Sequence, residues 1–110
     1  MQDVITLNHK GARGIVLSKK YYNIMRDFIV ATFESRSEIS FEYLMLKAEK
    51  FNTIYPIDSF LWYLLKVKQD MEGKGILKVR FIGSTPRIQM LKINRRALKD
   101  WFALQEYSSL

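Results

Sequence analysis

The stretch Met71–Ile93, MEGKGILKVRFIGSTPRIQMLKI, constrains the fold more than any other part of the chain. Gly73 and Gly75 stop a helix, because glycine takes the left-handed conformation that helix ends use. Leu77, Val79 and Phe81 then alternate with Lys78, Arg80 and Ile82, the period-two pattern of a strand with one covered face. Gly83, Ser84, Thr85 and Pro86 supply turn chemistry. In a second strand, Ile88 and Met90 alternate with Arg87, Gln89 and Leu91. Lys92 falls on the face of Ile88 and Met90, so the strand is expected to bulge or end there. A helix must therefore run into Gly73, and a basic two-stranded ribbon must follow it.

Periodicity places three more helices. Ser18 is an expected N-cap for KKYYNIMRDFIVATF, with Tyr21, Ile24, Met25, Phe28 and Thr32 as its buried stripe and Lys20, Asn23, Arg26 and Asp27 outside it. Ile39 is expected in a very short strand. Ser40 caps FEYLMLKAEKF, whose Phe41, Leu44, Met45, Ala48 and Phe51 step by three or four. Pro56 disfavours helix at Tyr55, and Asp58 or Ser59 caps the helix that ends at Gly73. That third helix buries Phe60, Leu64, Val67 and Met71. Asn94 caps a final helix whose stripe is Ala97, Leu98, Trp101, Phe102 and Gln105. Residues 1–17 carry two β-branched runs about NHKGARG and read equally as a short hairpin or as an extended arm.

The chain has 110 residues, enough for one domain. Apolar residues make up 48%, the composition of a globular protein. There is no cysteine and one histidine, His9, in an expected turn. Disulfide, thiol and zinc-cluster chemistry therefore lack ligands, and no spacing of acids suggests a carboxylate pair. Neither an enzyme nor a cofactor site is expected. The longest apolar run, Phe60–Leu65, is shorter than the roughly 20 residues of a membrane span. No signal segment is visible, and a reducing cytoplasm suits the composition.

The net charge of +7 is unevenly spread. Residues 1–57 hold 8 basic and 6 acidic side chains, a balance of +2, whereas residues 58–110 hold 10 and 5, a balance of +5. From Lys74 to Lys99 eight basic residues follow one another with no acid among them. Such a surface attracts polyanions or stands as a solvated basic face.

The element order is helix, short strand, helix, helix, strand, turn, strand. DMEGKGILKV, residues 70–79, ends a helix in an acidic-basic-glycine turn and enters a strand through two apolar residues. In this the chain resembles winged helix-turn-helix regulators. LNHKGARGIV, KYYNIMRDFIV and WYLLKVKQDMEGKG, in that order, resemble more closely a family of small bacterial winged-helix-like proteins of unknown function. The resemblance implies an α+β fold, a three-helix core over residues 18–93 with a two-stranded wing; the extra C-terminal helix, residues 94–110, is longer than that family leads one to expect and is read from its own stripe as part of the same domain.

In that fold the third helix is a recognition helix. Lys66 and Gln69 suit guanine and adenine edges in a major groove, and Ser59 suits a phosphate at the helix start. Lys78, Arg80 and Arg87 on the wing suit the backbone or minor groove of double-stranded DNA. Asp70, expected on the same outer side, would repel phosphate unless paired. Trp62 and Tyr63 point instead to a protein partner, or Trp62 packs beneath the N-terminal arm. Leu98, Trp101 and Phe102 either close the core or pair with a second subunit to make a homodimer. The function expected is a DNA-binding regulator or nucleoid-type binder; the alternative is a module that binds protein and not DNA.

Overall fold

A β-hairpin opens the chain in the computed structural model, which describes residues 3–108, with side chains described as far as residue 104. Strand β1 (Asp3–Leu7) pairs antiparallel with β2 (Arg13–Ser18). The register slips between Ile5 and Leu7. There the buried Thr6 hydroxyl accepts from Ile15 N at 3.0 Å and donates to Ile15 O at 2.9 Å, replacing lost ladder bonds. The hairpin alternative for the N-terminal residues is therefore the one the chain adopts.

Helix α1 (Lys19–Phe33) follows directly, and Ser18 precedes it without a side-chain cap bond, contrary to expectation. Its buried residues are Tyr22, Met25, Arg26, Ile29, Thr32 and Phe33. The stripe thus turns on Tyr22 and Ile29, and Arg26, expected outside, lies inside it. The cause is a later element: the Arg26 guanidinium lies over the Trp101 and Phe102 rings, 5.4 and 4.9 Å from their centroids.

Strand β3 (Glu38–Ser40) leads into α2 (Phe41–Ile54), where the Ser40 hydroxyl accepts from Tyr43 N at 3.0 Å as a cap should. Helix α3 (Phe60–Gly73) starts at Ser59, whose φ of 60° is left-handed and whose side chain makes no cap bond. The C-terminal end of α3 is closed by backbone donors that follow it. Gly75 takes φ +75°, Gly75 N donates to Glu72 O at 3.0 Å, and Ile76 N donates to Met71 O at 2.8 Å. Buried Ile76 and Met71 supply the apolar contact that accompanies this Schellman arrangement. Gly73 has a different reason. A Cβ there would stand 2.3 Å from Asn8 O, so the glycine lets the hairpin turn press on the helix.

Strands β4 (Leu77–Ile82) and β5 (Ile88–Ile93) form the expected ribbon, in unbroken register from Leu77↔Ile93 to Ile82↔Ile88. No bulge falls at Lys92. Strand β3 adds to β5, giving the order β3-β5-β4. Leu91 and Ile93 face the core, and Ile88, Met90 and Lys92 face away. Both faces of β5 carry apolar residues, and pairing with Ile39 of β3 decides which one is covered. Asn94 caps α4 (Arg95–Ser108) through Ala97 N at 3.0 Å. The core gathers Tyr22, Met25, Ile29 and Phe33 with Leu44, Leu64, Val67, Met71, Ile76 and Leu91.

Candidate interaction surfaces

The inner side of α3 carries a buried acid. Asp70, expected on the outer side, is fully buried. Its Oδ1 accepts from Leu7 N at 2.7 Å. Its Oδ2 accepts from the Tyr22 hydroxyl and from Lys74 Nζ. Lys74 Nζ also donates to the Tyr22 hydroxyl at 3.2 Å and lies 4.8 Å from the Trp101 ring centroid. Burial first, and then the Asp70 charge, push the Tyr22 phenol well above its ordinary range. It is a neutral hydrogen-bond donor, unsuited to act as a base. Hairpin, α1, α3 and α4 thus converge on one carboxylate, and the cluster is a structural tie.

The outer side of α3 is apolar. Leu61 is 51% exposed, Trp62 46% and Leu65 37%. Trp62 does not pack beneath the hairpin. It stands edge-on to Tyr63, centroids 5.1 Å apart, and Tyr63 stacks on Tyr21 at 5.1 Å. Lys66 and Gln69 flank this stripe and are half-buried. Lys68 is buried, held by Glu72 at 3.1 Å, and so offers nothing outward. The wheel that exposes Trp62 and Gln69 also exposes Leu61 and Leu65, at about 100° and 140° from Phe60; a sequence reading that stops at polar positions misses them. A groove of about 520 Å³ adjoins the stripe through Leu61 and is lined by Met45, Leu46, Ala48 and Phe60, with Glu42 and Glu49 among its polar residues.

The outer face of the three-stranded sheet gathers charge. Lys92 lies between Glu38 on β3 and Lys78 on β4. Arg80, expected to be free, grips both Glu38 oxygens, Nε at 2.7 Å and Nη2 at 2.6 Å. That bond, reinforced by the Arg80 and Lys92 charges, holds the Glu38 carboxyl below its ordinary range. Arg87 is exposed near the turn, its guanidinium 4.0 Å from the Phe81 ring centroid. The wing cations expected to act together are therefore divided between a paired arginine, a stacked arginine and an open lysine. Ser59, Lys66 and Gln69 belong to α3, not to this face.

Leu98 is buried, and Trp101 and Phe102 pack half-buried on the domain's own core, Trp101 edge-on to Tyr22 at 5.9 Å. The core-closing role expected of them is thus filled within one chain. Gln105 lies outside the described side chains. Among the described residues no helix is long and apolar enough to cross a membrane.

Fold and surfaces together define a small mixed α+β domain, four helices and two small antiparallel sheets among the described residues, with one apolar and one cationic outer face. The chain belongs to a family of unknown function, DUF6958, whose model matches residues 3–88. The three stretches that carry the resemblance all lie inside that span, and they meet around Asp70. No curated protein and no solved structure matches the chain.

Proposed function

We propose that this chain is a winged helix-turn-helix module that binds a protein segment on the outer face of α3. The fold part rests on the order α1, β3, α2, α3, β4, β5 and on the pairing of β3 with β5. The functional part rests on one observation: Leu61, Trp62 and Leu65 are exposed side by side where a base-reading helix would present polar groups. The acids at the adjoining groove make the fitting partner an amphipathic segment with apolar residues three or four apart and basic flanks. Panning a peptide library against the chain tests this. Recovered peptides should share that pattern, and Trp62→Ala should weaken them at least about tenfold, as truncating an interface tryptophan does. A Leu61→Ser/Trp62→Ala/Leu65→Ser variant that is folded and keeps every binder overturns it.

A second reading has its own support in the cationic sheet. Here the module holds double-stranded DNA by its backbone through Lys78 and Arg87, with Arg80 available only by leaving Glu38, and Lys66, Gln69 and Ser59 lie towards the groove. Such a regulator would act as a homodimer through the surface of α4 that remains open. A salt titration on random duplex tests it. Non-specific binding of this kind has dissociation constants on the order of 10⁻⁴ to 10⁻⁶ M, falling in affinity as salt rises. Absence of salt-sensitive binding at low salt removes this reading and leaves the first untouched.

A further inference from the structure

We propose that the root of the ribbon holds an oxyanion site, built by Lys78, Lys92 and Arg95 beside Ser37 and suited to a phosphate group. Lys78 and Lys92 are register partners on the same outward face. Directly opposed side chains stand about 5 Å apart at Cβ, and like charges at that distance repel. The neighbouring Glu38 attracts Lys92 but relieves the pair only in part, because both its oxygens are held by Arg80. Among the described residues neither lysine has an ion pair. Two cations without an ion pair are thus held together by the sheet, an arrangement that favours an anion between them.

The space for that anion exists. Two recesses, about 420 and 430 Å³, share Ser37, Lys78 and Lys92 in their walls. The second is completed by Gly75, Ile93, Asn94 and Arg95. Arg95 is fixed there: its Nη2 donates to Glu34 O and Arg36 O, both at 2.8 Å. Its remaining N–H donors are left for a ligand, and a guanidinium suits phosphate oxygens. The Ser37 hydroxyl adds a neutral donor, and α4 begins at the rim, where its dipole favours negative charge. The charge suits a phosphate group, and the recesses have room for it together with part of the nucleic-acid backbone or small molecule that carries it. The site rests on the DNA reading and deepens it by centring its phosphate contact on Lys78, with Lys92 and Arg95, at the ribbon's base, and inorganic phosphate probes it without DNA.

Amide chemical shifts followed during a titration with inorganic phosphate, against chloride at matched ionic strength, test the site. Saturable shifts are expected at Ser37, Lys78, Lys92 and Asn94, with a higher Tm in phosphate. Lys78→Gln/Lys92→Gln should weaken the response at least about tenfold and abolish the Tm gain, whereas Lys50→Gln, on α2, should leave both unchanged. Without phosphate, Lys78→Gln alone should raise Tm by about 1–5 °C, because it removes a repulsion. In a second arm, a short duplex that moves the same amides and is displaced by phosphate identifies a nucleic-acid source. Saturation by phosphate with no response to the duplex identifies a small phosphorylated ligand and ends the DNA reading alone. Phosphate shifts indistinguishable from chloride, shifts retained in the double variant, or a Tm that falls in Lys78→Gln would overturn the site.

Discussion

Replacing Asp70 with alanine is the substitution that most directly probes what holds this domain together. The wild-type carboxylate accepts from Leu7 N, the Tyr22 hydroxyl and Lys74 Nζ while itself fully buried. Alanine leaves all three donors without that acceptor. Removing one partner of a buried ion pair costs about 3–5 kcal/mol. Here the Lys74 side chain is 21% exposed and can regain some water, so the lower end, about 3 kcal/mol, is expected. That is a large share of the roughly 5–15 kcal/mol that stabilises a typical domain. Asp70→Asn keeps an oxygen for Leu7 N but sets an amide against the Lys74 ammonium, a loss of about 1–3 kcal/mol. Adding Lys74→Met to Asp70→Asn should recover part of it, since the unmatched cation goes. Urea unfolding of five proteins, the wild type, Asp70→Ala, Asp70→Asn, Lys74→Met and the double variant, gives the values, read from midpoints at constant slope. A loss below about 1 kcal/mol for Asp70→Ala, or strict additivity in the double variant, would refute the idea that this carboxylate ties the hairpin to the core.

Three other substitutions read separate parts of the fold. Tyr22 has its phenol pushed up in the folded state, so its contribution is full below the unfolded value of about 10 and is lost as pH rises through the higher folded value. Alkaline denaturation of Tyr22→Phe should therefore show a shallower fall above about pH 10, from a lower neutral starting point. Glu38 has the opposite sign. Its carboxyl is depressed chiefly by the Arg80 hydrogen bond, so the contribution is present above the ordinary glutamate range and is lost as acid protonates it. Arg80→Ala should flatten that acid limb of a stability–pH profile. Gly73→Ala gains helix propensity of about 1 kcal/mol but meets Asn8 O at 2.3 Å, and a net loss of about 1–3 kcal/mol is expected in urea.

What the sequence reveals and what it hides divide by distance along the chain. The inner stripe of α3, the stripe of α2, the Ser40 and Asn94 caps and the ribbon all depend on neighbours within a few positions, and all are found where periodicity puts them. Asp70 meets Leu7 and Tyr22, 63 and 48 positions away, and no local pattern announces such a meeting. Its position on the wheel beside Lys66 made the solvent side as plausible as the core. Arg26 escaped for the same reason, because the rings that cover it belong to α4. The pairing of Arg80 with Glu38 spans 42 positions and changes the wing most of all: it removes one expected contact and exposes the lysine pair beside it.

The outward side of α3 suits a protein surface better than base edges. A base edge offers donors, acceptors and, on thymine, one methyl group. Leu61 and Leu65 answer only the last of these and Trp62 adds a single indole N–H donor, so pressing the three into a groove would displace water from base edges and replace few of its hydrogen bonds. Against an apolar protein surface the same three side chains lose water at no such cost, and burying a leucine is worth about 1.5–3 kcal/mol. Lys66 and Gln69 at the edge of the stripe then act as a polar rim. The cations that DNA or a phosphorylated ligand would use lie elsewhere, on β4, β5 and the start of α4. The two proposed activities are therefore separable by substitution. Trp62→Ala should weaken peptide binding at least about tenfold with the phosphate response intact, and Lys78→Gln/Lys92→Gln should do the reverse. Loss of both responses in either folded variant would mean that the two faces form one site, and would refute their separation.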